Sequence, residues 1–312
     1  MTAGQRPLAL VGPTACGKTE AAIELALGFG AEIVSVDSML VYRGMDIGTA
    51  KPTSAERARV PHHLIDLAEP SEPFSVARYQ ALGRTALAGI ETRVRTALLT
   101  GGSGLYFRAL VDDLEFPGTD AATRGELEAE ASAAGADALY RRLAEMDPIA
   151  AAKIDPGNVR RTIRALEVAA ITGRPFSSFA AAWERYPADR VRAAGIRLAP
   201  EALRARIGAR VLSMVERGLL DEVRGLVERG FGGWLTSTQA IGYAEFAAHL
   251  RGRLTLDEAV ERTVSRTRQL ARRQVAWFRR DPRIRWFEAG EGGALDVLED
   301  VRAHLAEGTG SA

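Results

Sequence analysis

An eight-residue loop near the start of the chain constrains its fold more than any other feature. Residues 12–19 have the sequence GPTACGKT, which matches the phosphate-loop pattern G-x-x-x-x-G-K-[ST]. The apolar run 7–11 predicts a strand before the loop, and residues 18–28 predict a helix after it. In that setting the loop N–H groups and the positive end of the helix dipole favour phosphate oxygens. The predicted site for a di- or triphosphate consists of Gly12, Pro13, Thr14, Ala15, Cys16, Gly17, Lys18 and Thr19.

Two side chains of this phosphate loop are candidate catalytic residues. Lys18 is expected to reach the terminal phosphate, and the Thr19 hydroxyl is placed to bind Mg²⁺, the cofactor that we expect. Lys18 is also one of three lysines among 41 basic residues, the others being Lys51 and Lys153. In a chain that prefers arginine so strongly, a retained lysine indicates a site that needs a compact ammonium group.

The first third of the chain alternates strand and helix patterns, which is typical of a parallel sheet. Further strands are predicted at 31–36, 62–66, 96–100, 191–198 and 284–287, and helices at 75–92, 200–217, 219–229, 242–251 and 255–280. The pattern between 119 and 187 is helical throughout. We therefore expect an α/β fold, with a P-loop NTPase-like parallel sheet core and an inserted all-helical domain. The expected boundaries are 1–114 and 191–312 for the core and 115–190 for the insertion.

A carboxylate follows the second predicted strand rather than the fourth. Strand 96–100 runs into GGSG without an acid, whereas strand 31–36 is followed directly by Asp37. Because open parallel sheets bind ligands at the carboxyl ends of their strands, Asp37 is positioned to face the reacting atom. The alternative is a turn aspartate before Ser38. The polar segment 35–52 has neither helix nor strand period and is predicted to be a substrate loop, the name kept for it below.

Positive charge is concentrated near the end of the chain. Residues 262–285 contain nine arginines and one acid, Asp281, for a net charge of +8. Because the whole chain carries +1, the rest of it carries −7. A basic stripe on an acidic body predicts a polyanionic partner such as a nucleic acid. The alternative is a solvated helix face in an arginine-rich chain.

Composition and spacing exclude several other classes of protein. With 46% apolar and 26% charged residues, the chain is globular rather than disordered. A single cysteine, Cys16, excludes a disulfide framework and a cysteine-rich zinc site, and the adjacent His62 and His63 lack metal-ligand spacing. No apolar run approaches the roughly 18 residues that span a bilayer. We therefore expect a cytoplasmic protein with no membrane partner, and we expect it to be a monomer.

Six segments occur together in the order and spacing of one family. They are GPTACGKT (12–19), SVDSMLVYRGMDIGTAKP (35–52), GGSGLYFRAL (101–110), RRTIRALEV (160–168), QAIGYAE (239–245) and TRQLARRQVAWFRR (267–280). With these motifs the chain resembles the tRNA dimethylallyltransferases, in the bacterial form without a zinc-finger extension, from about residue 8 to residue 287. The resemblance implies transfer of a dimethylallyl group from dimethylallyl diphosphate to N6 of the adenosine 3′-adjacent to the anticodon, with release of diphosphate. The implied partners are dimethylallyl diphosphate and the anticodon stem-loop of tRNA.

The resemblance also implies roles for individual residues. Asp37 would be the base near the N6 amine and, beside Thr19, a second candidate ligand of Mg²⁺. Ser103, a further candidate catalytic residue, stands where the family usually has threonine, and Cys16 stands where it usually has serine. Arg164 would clamp the diphosphate, with an ion pair to Glu167 as the alternative. The implied tRNA contacts are Asp37, Ser38, Met39, Leu40, Ser103, Arg124, Arg160, Arg161, Thr162, Ile163, Arg164, Gln239, Ala240, Ile241, Gly242, Tyr243, Ala244, Arg268, Arg272 and Arg273.

Three other functions account for parts of the sequence. A P-loop small-molecule kinase would explain the phosphate loop and Asp37, but not the basic stripe or the helical insertion. An isopentenyltransferase acting on free adenine nucleotides would share the chemistry, but would need neither of those features. A non-catalytic RNA-binding NTPase would explain the basic stripe, but not a carboxylate beside the loop. On the basic stripe itself, Trp277 and Phe278 are expected to be core anchors rather than stacking platforms.

Overall fold

The computed structural model describes residues 6–307, whose centre is a six-stranded sheet. The strands are β1 (Leu8–Val11), β2 (Ala31–Ser35), β3 (His62–His63), β4 (Thr96–Gly101), β5 (Arg192–Leu198) and β6 (Ile284–Ala289). All neighbouring strands are parallel, and their order across the sheet is β3-β2-β4-β1-β5-β6. The expected parallel α/β fold is confirmed, and the phosphate loop follows a central strand.

Thirteen α-helices lie in the described part of the chain. They are α1 (Lys18–Phe29), α2 (Ser54–Arg59), α3 (Val76–Thr92), α4 (Gly104–Val111), α5 (Ala121–Ala134), α6 (Ala136–Met146), α7 (Pro148–Ala151), α8 (Val159–Thr172), α9 (Pro200–Glu216), α10 (Leu219–Glu228), α11 (Tyr243–Leu250), α12 (Leu256–Phe278) and α13 (Leu298–Ala306). Between residues 6 and 307, no helix combines the length and apolarity needed to cross a bilayer.

Two local differences from the predicted elements have clear physical causes. The short helix α2 was not predicted; it begins with a capping box in which Thr53 and Glu56 satisfy each other's backbone N–H groups. The strand predicted at 62–66 is wrong beyond His63. Leu64 and Asp66 have φ angles of 63° and 57°, which take the backbone out of the extended conformation.

The sheet is buried on both faces, as parallel sheets of α/β folds usually are. Every residue of β1 and β2 is buried. One apolar cluster joins strand residues such as Leu10 and Ile196 to helix α1 and to Ala294 and Val301 near the C-terminal end of the described chain. This packing fixes the end of β1 and therefore the start of the phosphate loop.

The chain divides into two compact units. The first unit comprises the residues up to 111 and those from 188 on, and it contains the whole sheet. The second unit, residues 112–187, contains helices α5 to α8 and two short 3-10 segments. It begins and ends three residues before the boundaries expected for the insertion, 115 and 190.

The second unit has an apolar core of its own. Leu139, Leu143 and Leu166 from helices α6 and α8 are almost fully buried, and Leu127 of α5 packs against them. The role of this unit as a clamp on tRNA stays a prediction.

A buried carboxylate on β2 should make stability depend on pH. Glu32 is 5% exposed; its carboxylate accepts hydrogen bonds from Arg93 and lies 2.6 Å from His63 Nε2. The Arg93 hydrogen bonds, which outweigh the opposing effect of burial, lower the pKa of Glu32 from 4.5 to about 2. We expect Glu32→Gln to lower the free energy of unfolding by about 2 kcal/mol near neutral pH, because hydrogen bonds to a charged group are lost.

Since the pKa of Glu32 is depressed in the folded state, its stabilising effect is fully present above about pH 4.5. That effect is lost as the pH falls toward 2, where the folded carboxyl also takes up a proton. Urea unfolding of both proteins, at neutral pH and near pH 3, should show a difference that shrinks in acid. A difference of equal size at both pH values would contradict this assignment.

Candidate active site

The carboxyl ends of the neighbouring strands β2, β4 and β1 open into one cavity of about 560 Å³. This edge of an open parallel sheet is where ligands bind. The phosphate loop, the substrate loop and helices α9 and α12 complete its wall. Its polar lining consists of Thr14, Lys18, Thr19, Glu20, Ser35, Asp37, Thr49, Glu56, His62, Thr100, Arg206, Arg210, Ser213 and Gln274. Its apolar lining includes Ile33, Leu40, Pro52 and Ile65.

The conformation of the phosphate loop explains both of its glycines. Gly12 has a φ of 153°, and a Cβ there would lie 2.8 Å from the carbonyl oxygen of Ile196 on β5. Gly17 has a φ of 87° and caps the N-terminus of α1 without a side-chain hydrogen bond. A larger residue at either position would be strained, so the loop keeps its close turn onto the helix.

Lys18 lies over the loop that precedes it. Its Nζ donates to the carbonyl oxygen of Pro13 at 2.6 Å and lies 3.6 Å from the sulfur of Cys16, which is fully buried. An ammonium group has three N–H donors and no acceptor. Lys18 is therefore placed to give a donor to a phosphate oxygen held by the loop.

Segments far away in sequence hold the loop in place. Gln274 on α12 accepts a hydrogen bond from the N–H of Thr14 at 2.8 Å. Arg206 on α9 donates to the carbonyl oxygen of Ala15 at 2.9 Å. The N–H of Ala294 donates to the carbonyl oxygen of Cys16 at 2.8 Å. These contacts hold the loop between α9, α12 and Ala294; neither Gln274 nor Arg206 was predicted from the sequence.

Asp37 combines the two alternatives that its position suggested. Its Oδ1 accepts a hydrogen bond from the N–H of Met39 at 2.8 Å, which makes it a turn residue. Its side chain also lines the cavity together with Lys18 and Thr19. One carboxylate oxygen thus orients the group, and Asp37 lines the same cavity as the phosphate loop.

A cation that sequence analysis missed also lines the cavity. Arg210 on α9 is partly exposed to the cavity, and burial by the surrounding protein lowers its pKa. Among the described residues it forms no hydrogen bond or salt bridge, although the charge of Asp37 acts on it favourably. A desolvated guanidinium without a partner is costly unless an anion binds to it. Nothing in the pattern of α9 distinguishes Arg210 from its surface arginines.

The donor atoms in the cavity suit Mg²⁺ better than a metal held by protein alone. Within residues 6–307, no three His, Cys, Asp or Glu side chains are grouped to hold a metal ion. The Thr19 hydroxyl and the Asp37 carboxylate line the same cavity as the phosphate loop. Mg²⁺ commonly takes one or two protein oxygens and completes its shell with substrate phosphates and water, so these residues fit it.

The remaining predicted residues of the first unit lie around the cavity in different ways. Leu40 lines it, and Ser38 and Met39 lie in the turn that Asp37 forms. Ser103 lies just beyond the lining residues at the end of β4, where its hydroxyl accepts from the N–H of Tyr106 at 3.3 Å and caps α4. Ser103 is therefore adjacent to the cavity, and the structure gives it a capping role.

The QAIGY segment is the turn that begins helix α11. Gly242 has a φ of 96°, and its N–H donates to Glu245 at 2.8 Å, so the alternative of a helix-start turn is present. Ala240 and Tyr243 are buried, Ile241 and Ala244 are partly exposed, and Gln239 is exposed. Their contacts with tRNA stay predictions.

The basic stripe forms most of helix α12 and the turn after it. Six of its arginines are exposed and form no hydrogen bond or salt bridge within the described chain: Arg262, Arg268, Arg272, Arg273, Arg279 and Arg280. Phe278 is a core residue as expected. The same expectation is wrong for Trp277, which is 42% exposed and lies over Gly104, where a Cβ would meet its ring at 1.8 Å.

In the second unit, the predicted basic residues surround one buried acid. Glu167 is fully buried and accepts hydrogen bonds from Arg124 (2.7 Å) and Arg164 (2.8 Å). Arg164 also donates to the carbonyl oxygens of Pro117 and Gly118. The ion-pair alternative for Arg164 is therefore what the structure shows, and its role toward diphosphate stays a prediction. Of the neighbouring positions, Arg160 and Arg161 are exposed, whereas Thr162 and Ile163 are buried.

A parallel sheet with a phosphate loop and a cavity at its carboxyl edge defines a P-loop α/β protein. Comparison with known proteins identifies the family of P-loop proteins to which the chain belongs. The IPP transferase family model matches residues 40–281, and the isopentenyl transferase model matches residues 6–66. The chain therefore belongs to the IPP transferase family of tRNA-modifying prenyltransferases, as its six motifs indicate.

Individual relatives resemble the chain over nearly its whole length. It is 47% identical over 303 residues to the tRNA dimethylallyltransferase of Desulforudis audaxviator, covering 96% of this chain and 98% of the relative. It is 52% identical over 298 residues to the tRNA dimethylallyltransferase of Roseiflexus castenholzii, covering 95% of this chain and 96% of the relative.

Solved structures agree with these matches. The tRNA isopentenylpyrophosphate transferase of Bacillus halodurans is 40% identical, with a TM-score of 0.70 over 96% of this chain and 95% of that chain. A eukaryotic dimethylallyltransferase solved acting on tRNA is 27% identical, with a TM-score of 0.81 over 96% of this chain and 77% of that one.

Proposed function

We propose that this protein transfers a dimethylallyl group from dimethylallyl diphosphate to N6 of the adenosine 3′-adjacent to the anticodon of a tRNA, releasing diphosphate. The observation that carries the proposal is that the phosphate loop and the Asp37 carboxylate line one cavity, in a chain of the prenyltransferase family. A tRNA substrate would place its work in the cytoplasm.

The phosphate loop and two cations would take the leaving group. As the allylic C–O bond breaks, negative charge grows on the diphosphate oxygens, where the loop N–H groups and Lys18 can stabilise it. Arg210 lines the same cavity, forms no hydrogen bond or salt bridge with any residue between 6 and 307, and supplies a second positive charge. Mg²⁺, held through Thr19 and Asp37 when bound, would offset further charge on the diphosphate.

Asp37 would assist the nucleophile. The N6 lone pair of adenine is delocalised into the ring, so the amine needs a base as the N6–C bond forms. The Asp37 carboxylate would take the N6 proton while the diphosphate departs with the electrons of the C–O bond. The apolar lining residues, Ile33, Leu40, Pro52 and Ile65, offer a surface for the dimethylallyl carbons. To enter this cavity, the adenine must first leave the base stack.

The exposed arginines of α12 would hold the RNA. They contact phosphates without discriminating between bases, so they position the anticodon stem rather than select it. The basic residues of the second unit, including Arg160 and Arg161, would contribute further contacts from a helical clamp. We propose that a single copy of the chain carries the whole site.

A transfer assay tests the proposed function. Purified protein receives unmodified tRNA, radiolabelled dimethylallyl diphosphate and Mg²⁺, with AMP as a parallel acceptor and ATP turnover measured separately. Label in tRNA is the expected result. Label in AMP alone would mean that the protein is an isopentenyltransferase acting on free nucleotides. ATP turnover without label in either acceptor would mean that the protein is a kinase or an NTPase.

The arginines of α12 allow a separate prediction about RNA binding. Replacing Arg268, Arg272 and Arg273 together by glutamine should weaken tRNA binding and reduce the slope of log affinity against log salt by up to about 2–3, since roughly one counterion is released per phosphate contact. The KM for the prenyl diphosphate should not change. Filter binding over a salt series measures the slope; an unchanged slope would place the RNA on another face.

A further inference from the structure

One carboxylate outside the cavity holds part of the cavity wall. Glu222 on α10 accepts hydrogen bonds from three consecutive backbone N–H groups of the substrate loop. These belong to Asp46, Ile47 and Gly48, at N–O distances of 2.9, 2.8 and 3.2 Å. The residues that follow, Thr49, Ala50 and Pro52, line the cavity. Glu222 therefore anchors the segment from which that wall extends.

The wall needs such an anchor because its backbone is strained. Ala50 has a φ of 50°, in the left-handed region that residues with a Cβ seldom adopt. Strained residues persist where surrounding contacts over-determine them. On the far side of Ala50, the buried Lys51 ammonium donates to Asp46 and Asp66, both at 2.6 Å. Glu222 and Lys51 thus hold the loop on both sides of the strained residue.

The same carboxylate connects the wall to the QAIGY turn. The hydroxyl of Tyr243 donates to Glu222 Oε1 at 2.6 Å. Burial, reinforced by the charge of Glu222, raises the pKa of Tyr243 well above its ordinary value, so the hydroxyl stays a donor. The Tyr243 ring also packs directly on Gly48, where a Cβ would lie 2.5 Å from it.

We propose that Glu222 is a positioning residue for prenyl diphosphate: it fixes residues 46–48 so that residues 49–52 form the wall of the cavity, and Tyr243 acts on that wall through it. The inference rests on the proposed function for the identity of the substrate. Glu222 does not line the cavity, so its effect on the reaction passes through the substrate loop. Its loss should weaken binding of the prenyl diphosphate rather than slow the chemical step.

The test replaces the carboxylate by an amide of the same shape. In Glu222→Gln an NH₂ group faces backbone N–H groups, so part of the anchor is lost and the KM for dimethylallyl diphosphate should rise about tenfold, with kcat within about twofold. Tyr243→Phe removes one donor and should raise this KM about threefold. Because Tyr243 acts through Glu222, the double variant should behave like Glu222→Gln alone.

A second measurement does not depend on activity. Hydrogen exchange at the amides of residues 46–48 should be faster in Glu222→Gln than in the unchanged protein, and much less affected in Tyr243→Phe. The control is Glu228→Gln, an exposed glutamate of the same helix, which should alter neither exchange nor KM. Unchanged exchange at 46–48 in Glu222→Gln, or a fall in kcat at constant KM, would overturn the inference. A protein that transfers no label at all would instead refute the proposed function, while the exchange result would still decide the role of Glu222.

Discussion

Asp37→Asn is expected to lower kcat for prenyl transfer by roughly 10²- to 10⁴-fold, the effect of losing a positioned general base. The asparagine side chain keeps an oxygen that can accept the Met39 N–H, so the turn should survive. The dissociation constant for the RNA stem-loop should change little, and so should that for prenyl diphosphate measured without Mg²⁺, because Asp37 would act on the diphosphate only through the ion. Single-turnover transfer with both substrates bound measures the chemical step directly.

The cavity offers a matched control for this substitution. Glu20 is an exposed carboxylate in the first turn of α1 and lines the same cavity. Glu20→Gln should leave kcat within about twofold, since Glu20 lines the cavity but takes no part in the proposed proton transfer or in phosphate binding. If Glu20→Gln abolished transfer and Asp37→Asn did not, the assignment of the base would be wrong.

Arg210→Gln should change activity and stability in opposite directions. Loss of this cation should reduce kcat/KM for dimethylallyl diphosphate by about 10²-fold, as the removal of one donor to a developing oxyanion does in other enzymes. The unfolding temperature should rise, because burial opposes the charged form of Arg210 more than the charge of Asp37 favours it.

Two measurements separate a ligand-binding role for Arg210 from a structural one. Thermal unfolding without substrate should show the stabilisation, and inorganic diphosphate should protect the unchanged protein much more than the variant. Arg204→Gln on the same helix is the control, since Arg204 is exposed and lies 4.0 Å from Glu201. A variant that is both less active and less stable would mean that Arg210 supports the fold.

The central strands could be predicted because they are short, continuous apolar runs. β1, β2 and β4 begin and end within one residue of their predicted bounds. The end of β3 could not be predicted from the sequence. The positive φ angles of Leu64 and Asp66 occur in a segment whose conformation depends on distant contacts. The Asp66 carboxylate accepts hydrogen bonds from Lys51 and Arg57, and no local sequence pattern predicts either bond.

The same division applies to the candidate site. Lys18, Thr19 and Asp37 could be found because their motifs are local and lie next to predicted strands. Arg210 and Glu222 lie on ordinary amphipathic helices, where arginine and glutamate are common on the surface. Only the folded arrangement shows that one faces the cavity and that the other turns to the substrate loop.

The long reach of the contacts around the phosphate loop has a consequence for synthesis. The loop leaves the ribosome before helix α12 and Ala294, since synthesis runs from the N-terminus toward the C-terminus. Yet the N–H of Thr14 gains its hydrogen bond only when Gln274, 260 residues later, has been made. The carbonyl oxygen of Cys16 likewise gains its donor only with the N–H of Ala294. Strand β1 also cannot pair with its neighbour β5 until the chain has passed residue 192, where β5 begins. The loop is thus synthesised well before the residues that hold it, and a nascent chain lacks a finished binding loop until residue 294 has been added.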